Sequence, residues 1–153
     1  MLRETDRLAE AEPLYRRALA IDERSYGPDH PTVATRLNNL ALLLWTTNRL
    51  AEAEPLFRRA LAIDERSYGP EHPTVATDLN SLAGLLRDTD RLAEAEPLSR
   101  RMAGIFLAFT RRTGLEHPHL RTALGNHTAL LRALGRSEED IQAELEQLNA
   151  TPP

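Results

Sequence analysis

A 42-residue unit that occurs twice in succession constrains the fold of this chain more than any other feature. Residues 7–48 and 49–90 are identical at 34 of 42 aligned positions, and a third, more divergent copy begins at Arg91. Tandem units of this length are typical of solenoids, in which each unit buries its apolar face against its neighbours. We therefore predict a single domain over residues 1–153, with units at about 7–48, 49–90 and 91–135, a partial unit at 136–150, and residues 1–6 as the end of a truncated repeat.

Each unit has the apolar spacing of two helices joined by a tight turn. The first unit predicts helices over 7–26 and 31–46, separated by Gly27 and Pro28 and with Asp29 or His30 capping the second. The fold class is therefore all-α, a solenoid of antiparallel helix pairs. Further helices are predicted at 49–68, 73–88 and 118–134, and from about Ser137, which acts as a cap.

The first helix is predicted to lack one neighbour and to carry an exposed apolar flank. Apolar residues repeat at helical spacing along one face of it, namely Leu8, Ala11, Leu14, Tyr15, Ala18, Leu19 and Ile21.

Composition excludes several classes of site. The net charge is −4, all 19 basic residues are arginine, and there is no cysteine. A phosphate backbone requires a basic surface, so nucleic acid is not an expected partner. We find no membrane-spanning run, signal peptide, phosphate-binding glycine loop or catalytic dyad. We therefore expect a cytoplasmic, non-enzymatic protein with no cofactor, no metal and no membrane partner.

The segments LNNLALLL at 37–44 and NRLAEAEPLFRRALAI at 48–63 resemble tetratricopeptide repeats of the kinesin-light-chain type, as found in bacterial proteins. Ala41, Ala53, Phe57 and Ala60 occupy the small and aromatic packing positions of that repeat. The resemblance implies a right-handed superhelix of about three and a half repeats whose concave groove binds peptides or partner proteins. It also implies that such arrays are not enzymes and are often joined to signalling ATPases.

The differences between the two best copies indicate a binding surface. Six of the eight lie in the second predicted helix of the unit or the turn after it, and residues 36, 39, 42 and 46 share one helical stripe. Asparagine amides suit the backbone of an extended peptide, and tryptophan and arginine suit anchoring and carboxylate recognition. The predicted peptide-binding residues are Thr35, Asn38, Asn39, Leu42, Trp45, Thr77, Asn80, Ser81, Arg87, Asn126 and Arg132. Two alternatives remain open: the asparagines keep adjacent helices in register, and Trp45 packs between helices.

The third unit suggests a second surface. Phe106-Leu107-Ala108-Phe109 replaces the polar run Asp64-Glu65-Arg66-Ser67, which predicts self-association or another protein contact through Phe106, Leu107 and Phe109. The alternative is that these residues pack against an unusual final unit. His30, His72 and His117 occupy equivalent loops, too far apart to share one zinc ion, so we expect caps and loop anchors.

The predicted function is therefore a scaffold that binds a peptide or partner protein in the concave groove. The alternatives are self-association and a sensor role within a larger signalling ATPase. Self-association would produce a homo-oligomer.

Overall fold

The computed structural model describes the backbone of residues 2–150 and the side chains of residues 6–150. Seven α-helices occupy these residues, and none of them is both long and apolar enough to cross a membrane. The helices are α1 (Leu2–Tyr26), α2 (Pro31–Thr46), α3 (Leu50–Tyr68), α4 (Pro73–Asp88), α5 (Leu92–Thr113), α6 (Leu120–Ala133) and α7 (Glu138–Ala150). They form two compact units, unit 1 up to Pro70 and unit 2 from Glu71 onward. The fold is all-α, as predicted. In unit 1, α2 packs against α1 and α3, and in unit 2, α5 packs against α4 and α6.

Unit 1 is built around the interface between α2 and α3. Val33 and Leu37 of α2 pack with Ile63 of α3, and all three are fully buried. Phe57, also fully buried, fills the aromatic packing position of the repeat. The apolar pattern of α2 and α3 therefore gives unit 1 a packed core.

Helix α1 is held to the other two helices of unit 1 by half-buried apolar contacts and by ion pairs. Asp22 pairs with Arg36 of α2 at 2.6 Å. Arg49, just before α3, bonds to Glu12 of α1 at 2.5 Å and to Glu52 at 2.7 Å. The hydrogen bond from Arg49, followed by one from Arg16, lowers the pKa of Glu12. These pairs are partly exposed, so they orient α1 more than they stabilise it.

Unit 2 packs α4, α6 and α7 around α5. Apolar side chains of α5, among them Ile105 and Phe106, are almost fully buried, as are Leu130 and Leu131 of α6. Among the described side chains of α7, Ile141 is the one that is buried. The predicted cap of α7 is confirmed, because the backbone N–H of Asp140 donates to Ser137 Oγ at 3.1 Å.

The turns follow the sequence signals. His30 and His72 cap α2 and α4, each Nδ1 accepting a backbone N–H two residues on at 3.1 Å, so the predicted role of these histidines is confirmed. Gly69 ends α3 at a φ of +88°, which a side chain would strain. Asn48 and Asp90 adopt left-handed φ values near +60° in the turns after α2 and α4. After glycine, asparagine and aspartate are the residue types that most readily adopt this conformation.

The predicted start of α1 was wrong. The helix begins at Leu2 and not near Arg7, so the backbone of residues 2–6 is continuous with it. The interpretation of residues 1–6 as the end of a truncated repeat also rests on Met1 and on side chains that lie outside the described residues. Leu14 and Ile21 are 68% and 49% exposed. They form the exposed apolar flank that was predicted for this helix.

Candidate functional site: a groove lined by α4, α5 and α6

A groove of about 200 Å³ in unit 2 brings together several of the predicted binding residues. Its lining consists of Ala76, Thr77, Asn80, Met102, Phe106, His119, Thr122, Ala123 and Asn126. Three of these, Thr77, Asn80 and Asn126, were predicted from the sequence. We call this surface the α4–α6 groove.

The α4–α6 groove has an apolar floor and a polar rim. Met102 and Phe106 of α5 are 3% exposed and form the floor together with Ala123 of α6. Asn80 lies on the α4 side of the rim and Asn126 on the α6 side. Each amide carries donors and an acceptor, which matches the alternating N–H and C=O groups of an extended peptide. The floor suits an apolar side chain and the rim suits its backbone.

Helical periodicity places these residues on one side. Thr77 and Asn80 are three residues apart, about one turn, and therefore share a face of α4. The Thr77 hydroxyl donates to the Pro73 carbonyl of its own helix at 3.3 Å, so its oxygen can still accept a hydrogen bond from a ligand.

A histidine pair borders the groove at the start of α6. His117 stacks on Phe106 with ring centroids 4.3 Å apart, and its Nδ1 accepts the backbone N–H of His119 at 3.2 Å. Burial, and then the nearby charge of His119, lower the pKa of His117. A neutral imidazole is therefore favoured against the floor of the groove. The expected role of His117 as a loop anchor is confirmed by these contacts.

The corresponding stripe in unit 1 lies on α2. Thr35 and Leu42 are exposed, and Leu42 retains 47% of its accessible surface. Asn38 and Asn39 are half-buried. In unit 2 the counterpart of Asn39 is Ser81, whose hydroxyl donates to the Thr77 carbonyl at 3.3 Å and which is not part of the groove lining.

The predicted anchors divide between packing and surface positions. Trp45 packs edge-on against Phe57 of α3 with centroids 6.0 Å apart, which is the interhelix alternative left open by the sequence. Arg132 forms a bidentate ion pair with Glu138 at 2.5 and 2.9 Å, so its fork is directed to this chain's own α7. Arg87 is exposed in the last turn of α4. Neither arginine lines the α4–α6 groove.

The predicted self-association residues are largely internal. Phe106 and Leu107 are 3% and 7% exposed, so these two side chains present little surface to a second copy, and self-association through them stays a prediction. Phe106 is taken up by the stack with His117 and by the groove floor. Phe109 remains half-buried, with its ring edge-on to His117 at 5.0 Å.

Sequence reasoning missed a polar cluster in unit 2. Fully buried His127 occupies the position of buried Leu82 in the preceding repeat, and its Nε2 lies 2.9 Å from Glu144 of α7. Arg100 pairs with the same Glu144 at 3.0 Å and with Glu96 at 2.8 Å. The only available signal was a histidine at an apolar repeat position facing a helix rich in glutamate.

This cluster has the composition of a metal site but the geometry of an ion-pair network. Ligand atoms of Glu96, His127 and Glu144 all lie within 4.8 Å of one another. The Arg100 guanidinium already supplies positive charge to both carboxylates. Burial raises the pKa of Glu144, but the hydrogen bond from His127 and the charge and hydrogen bond of Arg100 outweigh it, so the pKa is lowered. The carboxylate is thus held ionised, and it fastens α7 to α5 and α6.

Comparison with known proteins gives a consistent family and fold. Residues 1–66 and 47–108 each match the family model described as tetratricopeptide repeat. The crystal structure of BtubC (BKLC) from P. vanneervenii superposes with a TM-score of 0.75 at 23% identity, covering 97% of this chain and 60% of that one. The crystal structure of a putative kinesin light chain with nearly identical TPR-like repeats from Podosopora anserina superposes with a TM-score of 0.76 at 22% identity, covering 95% of this chain and 67% of that one. No curated protein matches the chain.

Proposed function

Because the chain belongs to the tetratricopeptide repeat family, we propose that it is a non-catalytic binding module and that the α4–α6 groove captures an extended peptide segment of a partner protein. The observation that carries the proposal is the pair Asn80 and Asn126 on either side of an apolar floor. A peptide in the groove would place one apolar side chain against Met102 and Phe106.

The magnitudes favour a weak, specific interaction. A groove of about 200 Å³ accommodates a side chain and its flanking backbone, not a folded domain. Each hydrogen bond from an asparagine amide contributes about 1 kcal/mol net. Loss of both asparagines should therefore weaken binding by about 10-fold or more, since about 1.4 kcal/mol is a factor of ten in Kd.

A direct test uses a peptide selected from a random library displayed on phage, with affinity measured by fluorescence anisotropy. We expect Asn80→Ala combined with Asn126→Ala to weaken binding by at least about 10-fold without a change in helicity. The matched control is Ser81→Ala, because Ser81 lies on the same helix but outside the groove, and its affinity should be unchanged. If the double variant binds as well as the parent chain, the α4–α6 groove is not the binding site.

A second candidate function is self-association through the outer side of α1. It is favoured by the exposure of Leu14 and Ile21, which exceeds that expected for large aliphatic residues in a packed helix. Sedimentation velocity over a concentration series tests it. Dimers that disappear on Leu14→Glu would support this function, and a monomer at every concentration would exclude it.

A further inference from the structure

A second and larger groove runs along the face of α5 that does not contribute to the α4–α6 groove. Its volume is about 930 Å³, and its apolar surface includes Gly104, Ala108 and Phe109 of α5 and Leu148 of α7. The lining extends from Pro97 to Arg112, which corresponds to about 22 Å along the helix axis at about 1.5 Å per residue. We call this surface the α5 groove.

The α5 groove lies where the third repeat departs from the second. Arg66 of α3 extends to Asp29 and pairs with it at 3.0 Å. The equivalent residue in α5 is Ala108, and Phe109 replaces Ser67. Removal of a long side chain and addition of an aromatic ring leave an apolar depression at a position that an ion pair occupies in unit 1. Ala108 and Phe109 are half-exposed, so this apolar surface is open to a ligand.

The rim of the α5 groove is rich in arginine. Four arginines line it together with Glu71, in a chain whose overall charge is −4, and one of the four, Arg100, is already paired with Glu96 and Glu144. The arginines are Arg100, Arg101, Arg111 and Arg112. The guanidinium of Arg112 lies 5.8 Å from the centroid of the Phe109 ring, which holds it over the apolar floor. Apolar surface bordered by arginine is complementary to a segment that combines aliphatic and acidic side chains.

The molecule already contains one such contact beside the groove. Helix α7 has three acidic residues in its first turn, and its one buried residue, Ile141, packs into unit 2. Glu144 of α7 pairs with Arg100, and Arg111 donates to the Asn149 carbonyl at the end of α7 at 2.9 Å. Two of the four rim arginines therefore already hold an acidic, amphipathic helix, and the α5 groove continues from that interface.

We propose that the α5 groove binds an acidic amphipathic helix of a partner protein, of about 15 residues as the groove length requires. Its aliphatic stripe would lie on Ala108, Phe109 and Leu148, and its carboxylates would face Arg112. This site is separate from the α4–α6 groove, so the chain has two binding faces and can hold two partners at once.

The test uses a fluorescein-labelled peptide of about 15 residues with leucine at i, i+3, i+4 and i+7, glutamate beside the stripe and alanine elsewhere. Binding to the full chain is followed by anisotropy. We expect Ala108→Glu, which fills the floor and repels the ligand, to weaken binding at least about 10-fold. This substitution is compatible with the helix, because the equivalent position in α3 holds the long side chain of Arg66.

Two controls isolate the charge and the helical pattern. Arg112→Glu should also weaken binding, whereas Arg121→Glu, an equal charge change on the exposed surface of α6, should leave it unchanged. A scrambled peptide of the same composition should bind at least about 10-fold more weakly, since it lacks the stripe. The double variant Asn80→Ala with Asn126→Ala should leave the affinity for this helical peptide unchanged, which separates this proposal from that for the α4–α6 groove.

Three results would overturn the proposal. Equal binding of the scrambled peptide would show charge attraction without a docked helix. Stronger binding of a single-stranded oligonucleotide than of the peptide would identify a polyanion as the ligand. Sedimentation showing that the chain dimerises and that Ala108→Glu abolishes the dimer would identify a second copy as the occupant.

Discussion

Ile63 and Ile21 form an internal experiment on the packing of unit 1. They occupy the same position in successive copies of the repeat and lie in helices of almost identical sequence. Ile63 is fully buried, in contact with the cluster of Val33 and Leu37, whereas Ile21 is 49% exposed. Substitution of each by alanine removes the same atoms from two different environments, so any difference in stability reports packing alone.

The expected losses differ about threefold. Ile63→Ala removes buried carbon atoms and leaves a cavity, which typically costs 2–5 kcal/mol, and about 3 kcal/mol is a reasonable value here. In a chain of this size, that loss lowers Tm by about 6–12 °C. Ile21→Ala removes atoms that are already half in water, leaves no cavity and gains helix propensity, so its cost is below about 1 kcal/mol.

Urea unfolding followed by the fluorescence of Trp45 provides the measurement. Trp45 is the only tryptophan, and it packs on Phe57 of the same unit. Both variants should be measured at low and at high protein concentration. Equal losses for both variants at low concentration would refute the assignment of Ile21 to an uncovered face. A large loss for Ile21→Ala that appears only at high concentration would indicate that a second copy covers α1.

Three further predictions concern unit 2. Burial lowers the pKa of His117, so its neutral form stabilises the fold fully above about pH 6.5, and this stabilisation decreases as the pH falls below that value. The His117→Phe variant should therefore show a smaller decrease in Tm than the parent chain between pH 7.5 and 5.5. Glu144→Gln should weaken the attachment of α7 by about 1–3 kcal/mol, because it removes the carboxylate that His127 contacts. Amide hydrogen exchange in α7 at pH 7 should then be faster than in the parent chain, whereas the control variant Glu146→Gln should exchange at the parent rate. The lowered pKa of Glu144 means that this fastening is lost only as the pH falls below about 4.3. Ser137→Ala should cost about 1 kcal/mol of α7 stability, measured by the same exchange experiment.

The sequence was sufficient for the helices because two copies of one pattern were available. The turn glycines and the Pro-initiated helices fix local backbone conformation, so the boundaries Pro31–Thr46 and Pro73–Asp88 agree with the prediction. The histidine caps also follow from local geometry. On α1, periodicity identified an apolar stripe, but it could not show which residues of that stripe another helix covers. Leu14 and Ile21 have the pattern of core residues and the exposure of surface residues.

The α4–α6 groove was only partly predictable for a related reason. Helical spacing places Thr77 and Asn80 on one face of α4, but nothing in the sequence shows that Asn126 lies opposite them, or that Phe106 forms the floor. Those facts depend on how α5 and α6 pack. The six unit-to-unit differences pointed to α4, which contributes to the groove, but Ser81 and Arg87 are not part of the groove lining.

Helix α5 explains why the third repeat diverges while the first two do not. In the segment that replaces the polar run of α3, Phe106 turns to the α4–α6 groove, whereas Ala108 and Phe109 turn to the α5 groove. Phe106 and Ala108 are two residues apart and point about 160° apart around the helix axis, so one short substitution alters both faces at once. An apolar segment introduced only to complete the core would need to change just the buried face. Part of the change on the other face also packs within unit 2, since Phe109 contacts His117 and Arg100 and Arg111 bind α7. The half-exposed surface of Ala108 and Phe109 that remains is the part that our proposal assigns to a ligand.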